Sequence, residues 1–102
     1  MRDKVIIIGA GMMGSGIAAM SALSGRGTIL VDISETQLKS GLEKAISCIH
    51  LREQNGVNSK DDSERAISLI ETSLSIEKSC MEAFFIIESI NENLSQIGRA
   101  HV

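Results

Sequence analysis

The chain has no proline, no tryptophan and no tyrosine, and only two phenylalanines among its 102 residues. Almost nothing is available to stack on nucleic-acid bases. A basic patch is missing as well, since acids outnumber Lys and Arg by 13 to 10. The two shortages together exclude nucleic acid as a partner. No apolar run is long enough to cross a bilayer, so no membrane partner is expected. An apolar segment begins at residue 4, which leaves no room before it for a signal or transit peptide. Cysteine is equally scarce: Cys48 and Cys80 stand without a C-x-x-C and without His at metal spacing. They read as small core side chains in a reducing compartment, which implies a cytoplasmic protein and no metal. The length allows one small domain.

What the chain does contain is concentrated near its start. Residues 4–16, Lys-Val-Ile-Ile-Ile-Gly-Ala-Gly-Met-Met-Gly-Ser-Gly, set an apolar strand against a glycine-rich turn. A helix, a second apolar run from Thr28 to Val31 and an acid at Asp32 follow. This order and spacing is the sequence form of a dinucleotide site. Gly9 permits a tight turn out of the strand, Gly11 clears space for a pyrophosphate, and Gly14 lets helix and strand approach closely. The helix N-terminus then offers N–H groups and a dipole end worth roughly 0.3–2 kcal/mol to an anion. Asp32 lies eighteen residues beyond Gly14 and can accept both hydroxyls of an adenosine ribose. Its charge repels a 2′-phosphate, so NAD is expected rather than NADP.

The rest of the chain alternates in the manner of a parallel sheet with helical crossovers. Val5 to Ile8 is an apolar run suited to a central strand. A helix from about Met13 carries Ala18, Ala19 and Ala22 for close packing and ends at Ser24-Gly25. Ser34 and Gln37 have the form of a capping box. Leu38, Leu42, Ala45, Ile46 and Ile49 then mark one face of a long helix ending near Asn55-Gly56. A second helix starts after Asn58 or Ser59, with Ala66, Ile67, Leu69 and Ile70 on its buried side. Thr72 to Ser75 is a short strand, followed by a turn. Phe84 to Ile87 reads as a buried strand, which ends in Glu88-Ser89-Ile90-Asn91-Glu92-Asn93 beside the glycine turn.

Three segments carry a resemblance to a known family: Ile8 to Ala19, Leu30-Val-Asp-Ile-Ser34, and Ile86-Ile-Glu-Ser-Ile-Asn-Glu-Asn-Leu94. With the helical arm between them, residues 4–96 resemble the NAD-binding domain of the 3-hydroxyacyl-CoA dehydrogenases. The last segment is similar to the family's V-I-E-A-x-x-E-N-L. The resemblance implies an α/β, Rossmann-like, doubly wound parallel sheet with a helical arm after strand 2, its second half missing. It also implies oxidation of the 3-hydroxyl of an acyl-CoA with NAD, as in fatty-acid metabolism. Gly9, Ala10, Gly11, Met12, Met13 and Gly14 would contact the pyrophosphate, Asp32 the adenosine ribose, and Glu92 the nicotinamide-side ribose. A cofactor-binding Lys of relatives falls at Ile97. Two arm positions that touch CoA in relatives, usually Ser and Lys, are Cys48 and Asn55. Phe84 stands where relatives often have Asp. The family's catalytic Ser, His, Glu and Asn lie beyond residue 102, and a homodimer through a C-terminal domain is implied.

Other residues receive plainer readings. His50 is a solvated side chain, and Ser15 and Ser21 have no visible base. Met13 packs under the loop. Lys39, Glu43, Lys44 and Arg52 form the solvated face of the long helix. Ile97-Gly-Arg-Ala-His-Val102 does not continue the expected helix. It matches what one frame of a common sequencing adapter encodes, so residues 1–96 form the domain and 97–102 a non-native tail. In a sheet ordered 3-2-1-4-5-6 strand 84–87 would lack its next neighbour, and association through that edge is expected. Two other readings stay open: a related sugar-acid or hydroxy-acid dehydrogenase, and a non-catalytic NAD-binding or structural module.

Overall fold

The computed structural model describes residues 2–89. Four strands, β1 (Lys4–Ile8), β2 (Thr28–Val31), β3 (Ile70–Ser73) and β4 (Ala83–Glu88), form a sheet in the order β3-β2-β1-β4. All three pairings are parallel. Helix α1 (Met12–Leu23) joins β1 to β2, while α2 (Glu35–Gln54) and α3 (Lys60–Ser68) form the arm between β2 and β3. A short α4 (Ile76–Cys80) leads into β4.

The two central strands carry continuous apolar runs, and the pleat sends their side chains to both faces of the sheet. Val5, Ile7 and Leu30 pack with Ala18 of α1 and Leu38 of α2, and Ile6, Ile29 and Val31 form a separate cluster on the opposite face. A third cluster joins Ala19 and Ala22 of α1 to Ala45 and Ile49 of α2 and Ala66 of α3. The small alanines bring the arm close to α1. At the opposite end of the sheet, Lys4 of β1 holds Glu71 of β3 and Glu82 ahead of β4. The Glu71 hydrogen bond, with Glu82 behind it, keeps the Lys4 ammonium above the usual lysine range.

Several expectations are corrected. The turn before β4 is the helix α4, capped by Ser75, whose Oγ accepts from Lys78 N–H. Strand β3 starts at Ile70, two residues earlier than the run 72–75, because α3 already ends at its cap Leu69. Ile70 therefore belongs to the sheet. Ser34 caps α2 alone, without the reciprocal bond from Gln37, while the complete capping box is Ser59 with Asp62. Phe84, Phe85 and Ile86 are exposed at 60%, 57% and 45%, so β4 is not a buried strand. Among the described residues it lies at the sheet margin, with β1 as its neighbour on one side. Phe84 is the extra residue of a bulge, set between the pairs Lys4–Ala83 and Val5–Phe85, and Arg26 stacks over its ring. Arg52 is half-buried, and its Nε has no partner among the described residues. Lys39, Glu43, Lys44 and His50 are exposed as expected.

Candidate functional site

The chain leaves β1 through Gly9, whose φ of 108° is open to glycine at little cost. Gly9 N–H donates to Val31 O at 2.7 Å, which ties the turn to the end of β2. Helix α1 begins three residues later, pressed so close that a Cβ on Gly14 would sit 1.9 Å from Gly9 O. Gly41 of α2 meets the turn from another side. A Cβ there would lie 2.6 Å from Ala10 O and 2.9 Å from Ala10 Cβ. The turn is thus clamped by two helices that both need glycine.

The N-terminus of α1 differs from the other helix starts. Ser34, Ser59 and Ser75 cap α2, α3 and α4 with side-chain oxygens, whereas Gly11 offers α1 none. No acidic residue lies in the first turn of α1. Its first N–H groups and dipole end therefore face the crevice unopposed, which suits a pyrophosphate. Gly11 has φ −76° and ψ −166°, available to any residue, so its backbone does not demand glycine.

Asp32 closes the other side. Its Oδ2 accepts from Ala10 N–H at 3.0 Å and its Oδ1 from Ser34 N–H at 3.0 Å. The carboxylate thus joins the glycine turn to the start of α2 and keeps further lone pairs for ribose hydroxyls. Between these walls lies a cavity of about 280 Å³, with Gly9, Ala10 and Gly11 on one side and Asp32, Ile33 and Gln37 on the other. Ile76 of α4 also lines it. No cationic side chain among the described residues lines this crevice. A larger hollow of about 630 Å³ lies between α2 and β3 and includes no residue of the glycine turn. The smaller crevice is the one lined by the glycine turn and the carboxylate.

The remaining candidates fall in several places. Met12 and Met13 are 79% and 72% exposed on the first turn of α1. Met13 thus does not pack under the loop, since its side chain on the first turn of α1 stands largely in solvent. Ser15 donates to Gly11 O at 2.7 Å, and Ser21 pairs with Thr28 at 2.8 Å, so both hydroxyls have structural partners. Cys48 is a half-buried free thiol against the α1–arm cluster, and Asn55 is the exposed cap of α2. Neither lines the crevice. Glu88 ends β4 beside Ile8, and Ser89 N–H donates to Ile8 O at 2.7 Å, which brings this strand end to the turn. Glu92 and Ile97 lie outside the described residues. No group of three or more metal-binding side chains occurs among the described residues.

Sequence reasoning did not single out Gly41 or the bond from Ala10 to Asp32. A glycine in the interior of a long helix was the available signal for the first.

The model of the family described as 3-hydroxyacyl-CoA dehydrogenase, NAD binding domain, matches residues 4–96. The chain belongs to this family. NAD is accordingly the cofactor of the site. A glyoxysomal fatty acid beta-oxidation multifunctional protein of Brassica napus is 38% identical over 93 residues, covering 91% of this chain and 13% of that protein. The human mitochondrial hydroxyacyl-coenzyme A dehydrogenase is 32% identical over 95 residues, covering 88% of the chain and 30% of the relative. Among solved structures, (S)-3-hydroxybutyryl-CoA dehydrogenase from Ralstonia eutropha superposes with a TM-score of 0.81 at 27% identity. That match covers 99% of this chain and 35% of the solved chain. The chain therefore spans between about an eighth and about a third of the length of these relatives. Their named compartments are the glyoxysome and the mitochondrion, so a cytoplasmic location does not follow from them. No described helix is long and apolar enough to cross a membrane.

Proposed function

We propose that this chain forms the cofactor-binding part of an NAD-dependent dehydrogenase that oxidises (S)-3-hydroxyacyl-CoA to 3-oxoacyl-CoA in fatty-acid metabolism. One observation supports this most: an uncapped, acid-free α1 N-terminus faces a carboxylate across a crevice that no described cation lines. A dinucleotide with an unphosphorylated adenosine ribose fits that combination of charges. The N–H groups of Gly11 to Gly14 hold the pyrophosphate, with Met12 and Met13 at its rim, and Gly9 and Ala10 shape the turn. Asp32 accepts from the ribose hydroxyls while its bond to Ala10 keeps the turn in place. Glu92 is assigned to the nicotinamide-side ribose. Bound NAD supplies the hydride acceptor.

The substrate side of this reading rests on family membership. Acyl-CoA would reach the arm at Asn55 and near Cys48, and the general base and its partners would come from chain beyond residue 102. Residues 1–96 constitute the domain, and a homodimer would form through a C-terminal domain. The free thiols Cys48 and Cys80 accord with a reducing compartment, of which the cytoplasm is one.

The test is turnover by the protein encoded when the reading frame is extended in its source genome. NADH should form from a 3-hydroxyacyl-CoA and not from a free hydroxy acid or sugar acid. Turnover of the sugar acid alone would favour the related dehydrogenase, and absence of turnover with intact NAD binding would favour a binding module.

A further inference from the structure

Beyond Asp32, the crevice continues along three side chains that the dinucleotide reading does not yet use. Ile33 follows the carboxylate and is 85% exposed, and Ile76 at the start of α4 is 41% exposed. Both line the crevice and keep apolar surface open to it. Exposed isoleucines at the mouth of a cavity suit a flat apolar group laid against them. The third residue is Gln37, in the first turn of α2.

Gln37 has the spacing of a capping-box partner but does not act as one. Its backbone N–H donates to Ser34 Oγ at 3.2 Å, and the return bond from its side chain is not made. Among the described residues its carboxamide has no hydrogen-bond partner, although it stands at the crevice wall beside Asp32. A carboxamide carries one acceptor and two donors in a plane. That pattern complements a base edge on which an exocyclic amine adjoins an unprotonated ring nitrogen. Glutamine pairs with adenine in this bidentate manner. With Asp32 on the ribose, the next group of the ligand outward from the turn is the base.

We infer that Gln37 is the base-recognition residue of this site. Its carboxamide oxygen accepts from the exocyclic amine of adenine, its NH₂ donates to the adjacent ring nitrogen, and Ile33 and Ile76 bracket the ring. The inference rests on the NAD reading of the crevice and adds the selection of the adenine base to it. Because the crevice is open to solvent, the discrimination belongs at the low end of that for a bidentate base contact, about five- to tenfold in Kd.

The test titrates the chain and its Gln37→Leu variant with NAD and with nicotinamide ethenoadenine dinucleotide. In the second ligand the exocyclic amine is closed into a ring and donates no hydrogen bond. The wild-type chain should bind NAD about five- to tenfold more tightly than the etheno analogue. In Gln37→Leu that ratio should fall below about twofold, with the thermal midpoint retained. A Gln37→Met variant provides the same comparison should the leucine variant fold poorly. Equal affinity of the wild-type chain for both ligands overturns the inference and leaves NAD binding intact. A ratio that survives both substitutions overturns it as well, since the analogue's bulk then accounts for the difference. Failure of both ligands to bind removes the dinucleotide reading itself, and the base contact with it.

Discussion

Gly14 and Gly16 stand two residues apart in one helix and answer to different physics. A Cβ on Gly14 would lie 1.9 Å from the carbonyl oxygen of Gly9, while one on Gly16 would meet nothing within 4 Å. Gly14→Ala must push α1 off the turn, at a cost of about 1–3 kcal/mol that its helix propensity does not offset. Gly16→Ala should stabilise by about 0.5–1 kcal/mol. Urea denaturation should therefore move the two midpoints in opposite directions, and only Gly14→Ala should weaken NAD binding. The need for glycine at 9 and 14 was legible in the motif, and the φ of Gly9 and the close approach at Gly14 agree with it. The sequence did not show that Gly41 shares the work, because the contact with Ala10 joins residues thirty-one apart through the tertiary fold. Nor did it show that Asp32 is tied to the turn by a backbone N–H, which only the paired ends of β1 and β2 bring within 3.0 Å.

At the scale of elements, the helix starts were legible and the short pieces less so. Serine followed by a polar residue at the third position marks α2 and α3, and both begin there. The box closes only at Ser59, where Asp62 Oδ2 accepts from Ser59 N–H at 3.2 Å and Ser59 Oγ accepts from Asp62 N–H at 3.0 Å. Asp62 makes the return bond, while Gln37 lines the crevice instead. Ser59→Ala should cost about 1 kcal/mol. The Ser59 backbone bond, and then its side chain, hold the Asp62 carboxyl below the ordinary carboxylate value. The contribution of the box is then fully present above the unfolded value of 3.8 and fades as pH falls through the lower folded value. Amide exchange in the first turn of α3 should accelerate over that acid range, and Asp62→Asn should remove the dependence. The limits of β3 and the existence of α4 were harder to read, since stretches of four and five residues carry too little periodicity to separate strand, turn and helix.

Across the whole molecule, the order β3-β2-β1-β4 places the glycine turn at the centre of the sheet, between β2 and β4. Ligands bind at such switch points, and the carboxyl ends of β1, β2 and β4 all meet there. This much followed from alternation in the sequence. Burial of β4 did not follow, because the apolar run at Phe84–Ile87 is the same whether or not a neighbour lies beside it. Its exposed phenylalanines leave apolar surface on the flank away from β1. The crevice itself does not draw on that flank, since its walls come from the turn, Asp32, the start of α2 in the arm, and Ile76. Its charge pattern is the central claim: dipole and free N–H groups for the pyrophosphate, a carboxylate for the ribose, and no described cation for a 2′-phosphate. Calorimetric titration of the 102-residue chain with NAD and with NADP tests it most directly. NAD should bind at least about tenfold more tightly than NADP, a preference that Asp32→Ala should largely abolish. Equal affinity for the two dinucleotides, or no binding of NAD, would contradict the account.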